Sequence, residues 1–173
     1  MKRFLLAIVL SGAPAIVHGQ APRVRAAVPG YPTSLSMDSL ASAFDIFASR
    51  GATFAAAAAV FDELKIPVDS RDSVGGVVGN THLVAMHRFG GKQMSGMLSC
   101  GNGMTGPNAD AWRIYITVMA MIEEKGEDKT ILRVGFIAGA KDVDGASKDA
   151  VACGTSGTFE SMFADRVKKR LLK

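Results

Sequence analysis

The sequence predicts an α+β fold: an antiparallel β-sheet with one helix from the N-terminal half and a C-terminal helix packed on one face. Two stretches of alternating apolar residues, 114–122 and 132–140, flank the charged turn 124–129 and predict a β-hairpin. Apolar residues at helical spacing occur at 54–64 and again at 159–171. The order strand, helix, antiparallel strands and helix is typical of this class.

The first residues, 1–19, have the features of a cleavable secretory signal peptide. Basic Lys2 and Arg3 precede a mostly apolar run, and Gly19 is a small residue at the expected cleavage position. A membrane anchor is the alternative, but the apolar run is short and is interrupted by polar residues and proline. We therefore expect a soluble mature chain outside the cytoplasm, periplasmic or secreted, without a transmembrane segment.

The mature chain is expected to have two parts. Residues 20–38 contain three of the six prolines and several small polar residues, which predicts a flexible leader without a core of its own. Residues 39–173 are long enough for one domain and are predicted to form a single α+β unit.

Periodicity and turn residues predict the first elements of this domain. Phe44, Ile46 and Ala48 alternate with Asp45 and Phe47, which predicts the first strand. A helix is expected from Phe54 to about Leu64, capped by Thr53 and ended by Pro67. Its five consecutive alanines predict close packing against a sheet, because alanine is small.

The later elements follow in order along the chain. Residues 74–89 predict a strand with a bend or bulge, and 93–100 predict a further strand or an irregular return. Residues 101–108 and 142–152 predict loops on either side of the hairpin. A final helix is expected to begin after 155–157 and to bury Phe159, Met162, Phe163, Val167 and Leu171.

Cys100 and Cys153 are the only cysteines, and we expect them to form a disulfide. The bond would close a loop of 53 residues and would connect the final helix to the sheet. A thiol nucleophile and a pair of metal ligands are the alternatives, but the chain has no C-x-x-C pattern.

Composition and spacing argue against several functions. Loss of Lys2 and Arg3 with the signal peptide would lower the net charge from +4 to +2, too balanced to indicate nucleic-acid binding. The G-x-G-x-x-G match at 101–106 is followed by Pro107 and a strand instead of a helix, so no dinucleotide site is expected. The aspartates of 142–149 lack the spacing of a calcium loop. We predict no metal and no cofactor.

Two groups of residues are candidates for binding. A ligand pocket is expected where the disulfide would gather the neighbouring loops, and its candidate residues are Asp110, Trp112, Tyr115 and Ser156. Cations crowd the end of the final helix, where they complement the helix dipole or contact an anionic partner, and these are Arg166, Lys168, Lys169 and Arg170.

The pattern also resembles a known family. Lys65-Ile66-Pro67-Val68 after the first helix, Gly76-Val77-Val78-Gly79, the strand meander and the amphipathic C-terminal helix are similar to the BamC-like helix-grip modules of bacterial envelope proteins. The resemblance covers about residues 40–172 in pattern. It implies an accessory or interaction role in the envelope.

These observations leave three functional hypotheses. The first is an exported, non-catalytic binding or accessory module whose partner is an envelope protein, a lipid or a glycan. The second is a carrier of a small apolar or anionic ligand held between sheet and helix. The third is a hydrolase that uses His82 or His87, although the chain contains no G-x-S-x-G motif.

Overall fold

The computed structural model describes residues 23–104, 106–145 and 147–172. The predicted signal peptide, 1–19, and residues 20–22 lie outside these ranges. A seven-stranded antiparallel sheet dominates the fold. Its strands are β1 (Ser42–Ile46), β2 (Ser70–Asp72), β3 (Val77–Ala85), β4 (Leu98–Ser99), β5 (Arg113–Gly126), β6 (Lys129–Lys141) and β7 (Val151–Thr155). Neighbouring strands follow the order β2-β3-β5-β6-β7-β4, and β1 also pairs with β6.

Two long helices accompany the sheet, α1 (Arg50–Glu63) and α2 (Thr158–Leu171). The fold is therefore a mixed one with a mostly antiparallel sheet and a C-terminal helix, as predicted. Shorter pieces complete the described chain. They are the helices Met37–Leu40, Met94–Gly96 (3-10) and Asn108–Ala111, and the two-residue strand pairs Arg25–Ala26 with Leu35–Ser36, Arg88–Phe89 with Lys92–Gln93, and Asn102–Gly103 with Gly106–Pro107.

The central hairpin is confirmed. Strands β5 and β6 pair from Arg113 opposite Lys141 to Gly126 opposite Lys129. Strand β3 pairs with the other edge of β5. The register of this pairing shifts between Ile116 and Val118 of β5, which confirms the predicted irregularity in β3.

Helix α1 begins earlier than the sequence predicted. Ser49 is the N-cap, because its side chain accepts a hydrogen bond from the backbone N–H of Ala52. Thr53, the predicted cap, instead lies buried in the first turn, with its hydroxyl 3.0 Å from the hydroxyl of Thr130 on β6. The helix ends at Glu63, well before Pro67, so proline is not needed to stop it.

The larger of two buried clusters joins apolar residues of α1 and α2 to alternate residues of β5 and β6. Ala57 of α1 is fully buried in this cluster. Five aromatic rings lie at its centre, with centroids between 4.6 and 6.1 Å apart, and belong to Phe61, Phe89, Phe136, Phe159 and Phe163. Phe159 of α2 thereby packs on Phe136 of β6, and Phe163 packs on Phe61 of α1.

The prediction of a leader without a core is wrong for residues 24–37, here called the N-terminal segment. Its Ala26, Val28 and Met37 are buried in a second cluster, together with residues of β5 and β6 that point away from the first. Glycine permits this contact: a Cβ atom at Gly139 would lie 1.8 Å from the carbonyl oxygen of Pro29. Residues before position 39 therefore belong to the packed structure.

The predicted disulfide is confirmed. Cys100 and Cys153 are bonded, and each side chain is buried within the larger cluster. Cys153 lies in β7, whose first residues, Val151 and Ala152, fall in the predicted loop 142–152. They form a strand instead because they pair with residues 139 and 140 of β6.

Candidate functional site

The four predicted pocket residues do not all come together in one place. Asp110 accepts hydrogen bonds from the backbone N–H of Ser95, at 2.9 Å, and from the side chain of Gln93, at 2.8 Å. Partial burial raises the pKa of Asp110, but these hydrogen bonds outweigh it and leave the pKa below its ordinary value. The Ser156 hydroxyl donates to the carbonyl oxygen of Met97, so both residues bind the turn around 94–97.

Trp112 and Tyr115 do not join them. Trp112 is half-buried against the larger core cluster. Tyr115 is half-buried and lines two cavities on the sheet, and neither cavity has Asp110, Trp112 or Ser156 in its wall. The disulfide thus holds loops together at Cys100 without making one pocket from these four side chains.

The predicted cationic patch on α2 is divided by an acidic residue. Arg166 forms an ion pair with Glu63 of α1, and Arg170 Nη2 lies 3.3 Å from the other carboxylate oxygen of Glu63. These residues and Lys169 line an open cavity of about 560 Å³. Lys168 points elsewhere: its ammonium lies 5.9 Å from the centre of the Phe44 ring.

An exposed apolar surface, which the sequence analysis missed, adjoins the end of α2. Phe47 is 81% exposed and Leu172 is 88% exposed, and both line a cavity of about 320 Å³. Lys168 lines the same cavity, and the ammonium of Lys129 lies 5.3 Å from the centre of the Phe47 ring. We call this surface, with Phe47, Leu172, Lys129 and Lys168, the α2 corner.

A second surface lies around Tyr115, beside the N-terminal segment. The larger of the two cavities there is about 270 Å³ and mostly apolar, and its walls include Val28 and Pro29 on one side and Val84 on the other. The smaller is about 180 Å³ and contains Arg113 and Lys141. Because Tyr115 lines both cavities, we call them together the Tyr115 groove.

Sequence patterns gave a weak signal for these surfaces. Phe47 is apolar, although alternation with Phe44 and Ile46 places it on the opposite side of the strand from them. Arg113 and Lys141 become neighbours only through the pairing of β5 with β6, because 28 residues separate them in the chain.

Among the described residues, His82 and His87 lack the arrangement of a hydrolytic relay. His82 Nδ1 lies 2.7 Å from the Thr81 hydroxyl and 3.2 Å from Asp69 Oδ2, so hydroxyl and carboxylate meet the same ring nitrogen. In such a relay the imidazole is the base, and the nucleophile and the orienting acid contact opposite nitrogens of its ring. His87 Nδ1 is 2.5 Å from the carbonyl oxygen of Asp110.

Asp69 is held by its neighbours. Its partial burial raises the pKa, but hydrogen bonds from Thr81 and from His82 outweigh that effect, so the pKa of Asp69 lies below its ordinary value. The carboxylate connects the loop before β2 to the middle of β3, where it accepts the backbone N–H of Thr81 at 3.0 Å. This geometry gives Asp69 a structural contact.

Within the described ranges, no three His, Cys, Asp or Glu side chains are grouped so that they could hold a metal ion. In the same part of the chain, no helix is long and apolar enough to cross a membrane.

Compared with models of known protein families, with curated proteins and with solved structures, the chain matches none of them significantly. The likeness to helix-grip modules therefore stays a resemblance of pattern.

Proposed function

We propose that this protein is an exported, non-catalytic binding module that docks on an anionic lipid surface through the α2 corner. The observation that carries the proposal is the exposure of Phe47 and Leu172 beside lysine side chains. Large apolar side chains next to cations are typical of surfaces that lie in the interface of a membrane. Helix α2 contacts β1 and β6 of the sheet, and this packing would hold the corner rigid.

The charges around the corner favour an anionic partner. Among the described residues, ion pairs engage Arg166 and Arg170, but none involves Lys129, Lys168 or Lys169. Each lysine near an anionic membrane contributes about 1 kcal/mol to binding, and apolar insertion adds to this. A lipid surface uses both contributions at once, because its apolar interior accepts Phe47 and Leu172 while its anionic head groups accept the lysines.

The predicted signal peptide supports the proposal of export, and the buried Cys100–Cys153 disulfide is compatible with an oxidising compartment. The resemblance to helix-grip modules of envelope proteins also supports an accessory role at a membrane. The carrier and hydrolase hypotheses have less support: aromatic rings occupy the space between helices and sheet, and the histidines lack a relay.

The test is sedimentation of the mature protein with vesicles of phosphatidylcholine, with and without phosphatidylglycerol. We expect binding that requires phosphatidylglycerol and weakens as salt increases. Phe47→Ser should weaken it at least tenfold, because insertion of a phenyl side chain contributes about 1.5–3 kcal/mol. Lys168→Gln should weaken it about fivefold.

Matched controls lie on other parts of the surface. Val74 is 85% exposed in the turn between β2 and β3, so Val74→Ser removes a comparable exposed apolar group. Lys92→Gln removes a cation from a different hairpin. Equal effects of test and control substitutions, or binding that ignores the lipid charge, would refute docking through the α2 corner. A protein partner becomes the better hypothesis if vesicles never bind.

A further inference from the structure

The Tyr115 groove contains two like charges that face each other. Arg113 of β5 and Lys141 of β6 are directly opposite in the register of the central hairpin. Like charges at opposite positions of an antiparallel pair destabilise the sheet. Both side chains are exposed and line the smaller cavity of the groove. An anion placed between them would relieve their repulsion.

The carboxylate in the same cavity already has contacts with its own loop. Asp142 Oδ1 accepts the backbone N–H of Asp144 at 2.9 Å, and Asp142 Oδ2 accepts the backbone N–H of Ser147 at 2.7 Å. These bonds orient Asp142 toward the loop that follows β6. The single negative charge of Asp142 reduces the local positive charge, but Arg113 and Lys141 together leave the cavity with a net positive charge.

The other half of the groove is apolar and has two walls. Val84 is opposite Tyr115 in the pairing of β3 with β5, and it is 53% exposed. Gly139 is opposite Tyr115 on the other side, and Pro29 lies directly over Gly139. Tyr115 therefore forms a floor between the wall of the N-terminal segment and the wall of β3.

We propose that the Tyr115 groove binds a small amphipathic anion, a carboxylate with an apolar tail or ring. The head group would lie between Arg113 and Lys141, where each cation can donate charge-assisted hydrogen bonds. The tail would lie on Tyr115 between Pro29 and Val84. The N-terminal segment beside this site belongs to the smaller buried cluster and the two long helices to the larger one, so the site is independent of the α2 corner.

The probe is octanoate, followed by amide shifts in two-dimensional NMR spectra of the oxidised protein. We expect saturable shifts for the amides of 27–28, 83–84 and 113–115. Octyltrimethylammonium, which has the same tail and the opposite charge, should bind at least tenfold more weakly. Equal binding of the two probes, or octanoate shifts centred on Phe47, would overturn the proposal.

Substitutions separate the two halves of the groove. Arg113→Gln should weaken octanoate binding about tenfold, because it removes a hydrogen bond to a charged group, whereas Lys92→Gln should leave it unchanged. Val84→Ser should weaken it about threefold, whereas Val74→Ser should have no effect. All four positions are exposed, so the spectra should keep their native dispersion. Binding that survives Arg113→Gln unchanged would overturn the assignment of the head group.

Discussion

Reduction of the Cys100–Cys153 disulfide should remove a large part of the stability of the fold. The bond closes a loop of 53 residues. In the chain-entropy model, a loop of this length stabilises the folded state by about 4 kcal/mol, because it restricts the unfolded chain. The total stability of a domain is about 5–15 kcal/mol, so the loss is a substantial fraction.

The perturbation is best made by reduction instead of substitution. Both sulfur atoms lie in the core, so the reduced protein keeps the buried side chains and loses only the cross-link. Urea unfolding of the oxidised and reduced forms should differ in midpoint by about 2 M, given a slope of about 2 kcal/mol per M. The slope should also increase on reduction, because the unfolded chain exposes more surface.

A small difference would refute this reasoning. If the two midpoints lie within about 0.3 M of each other, the unfolded chain already brings Cys100 close to Cys153 without the bond. The Cys100→Ala/Cys153→Ala variant provides a second measurement. It should be less stable than the reduced protein, because it also removes two buried sulfur atoms.

Three further outcomes are expected. Thr130→Val should cost about 1–3 kcal/mol in urea unfolding because the buried hydroxyl of Thr53 loses its partner, and the Thr53→Val/Thr130→Val double variant should recover most of the loss. Gly139→Ala should destabilise the packing of the N-terminal segment by about 1–3 kcal/mol, and unchanged amide exchange in that segment would contradict its close contact with β6. The pKa of Asp110 is lowered because hydrogen bonds from Ser95 and Gln93 outweigh its burial. Asp110→Asn should therefore reduce stability at neutral pH, and the difference should begin to shrink near pH 4 and vanish only below the lowered pKa of Asp110 in the folded protein. A difference that persists at low pH would contradict this.

Local pattern was sufficient for the elements whose contacts are close in sequence. The central hairpin was predictable because alternation along 114–122 and 132–140 and a short charged turn leave one antiparallel pairing. The disulfide was predictable because only two cysteines exist. The C-terminal helix was predictable because its apolar stripe has the helical period and a glycine precedes it.

The candidate pocket could not be predicted in the same way. Asp110 and Ser156 bind the turn at 94–97, whereas Tyr115 lies at a separate groove on the sheet. Proximity to a disulfide in sequence does not decide which face of a strand a side chain occupies. One residue of shift in register moves a side chain to the other face, so this information exists only in the paired sheet.

The sequence by itself determined the class of fold, its two long helices, its central hairpin and its cross-link, since each depends on local periodicity or on residue type. Only the tertiary structure decided that the N-terminal segment packs on the sheet, that Phe47 and Leu172 share one surface and that Arg113 faces Lys141. Those contacts join residues far apart in the chain, and their position is set by strand order, register and the close approach that Gly139 allows.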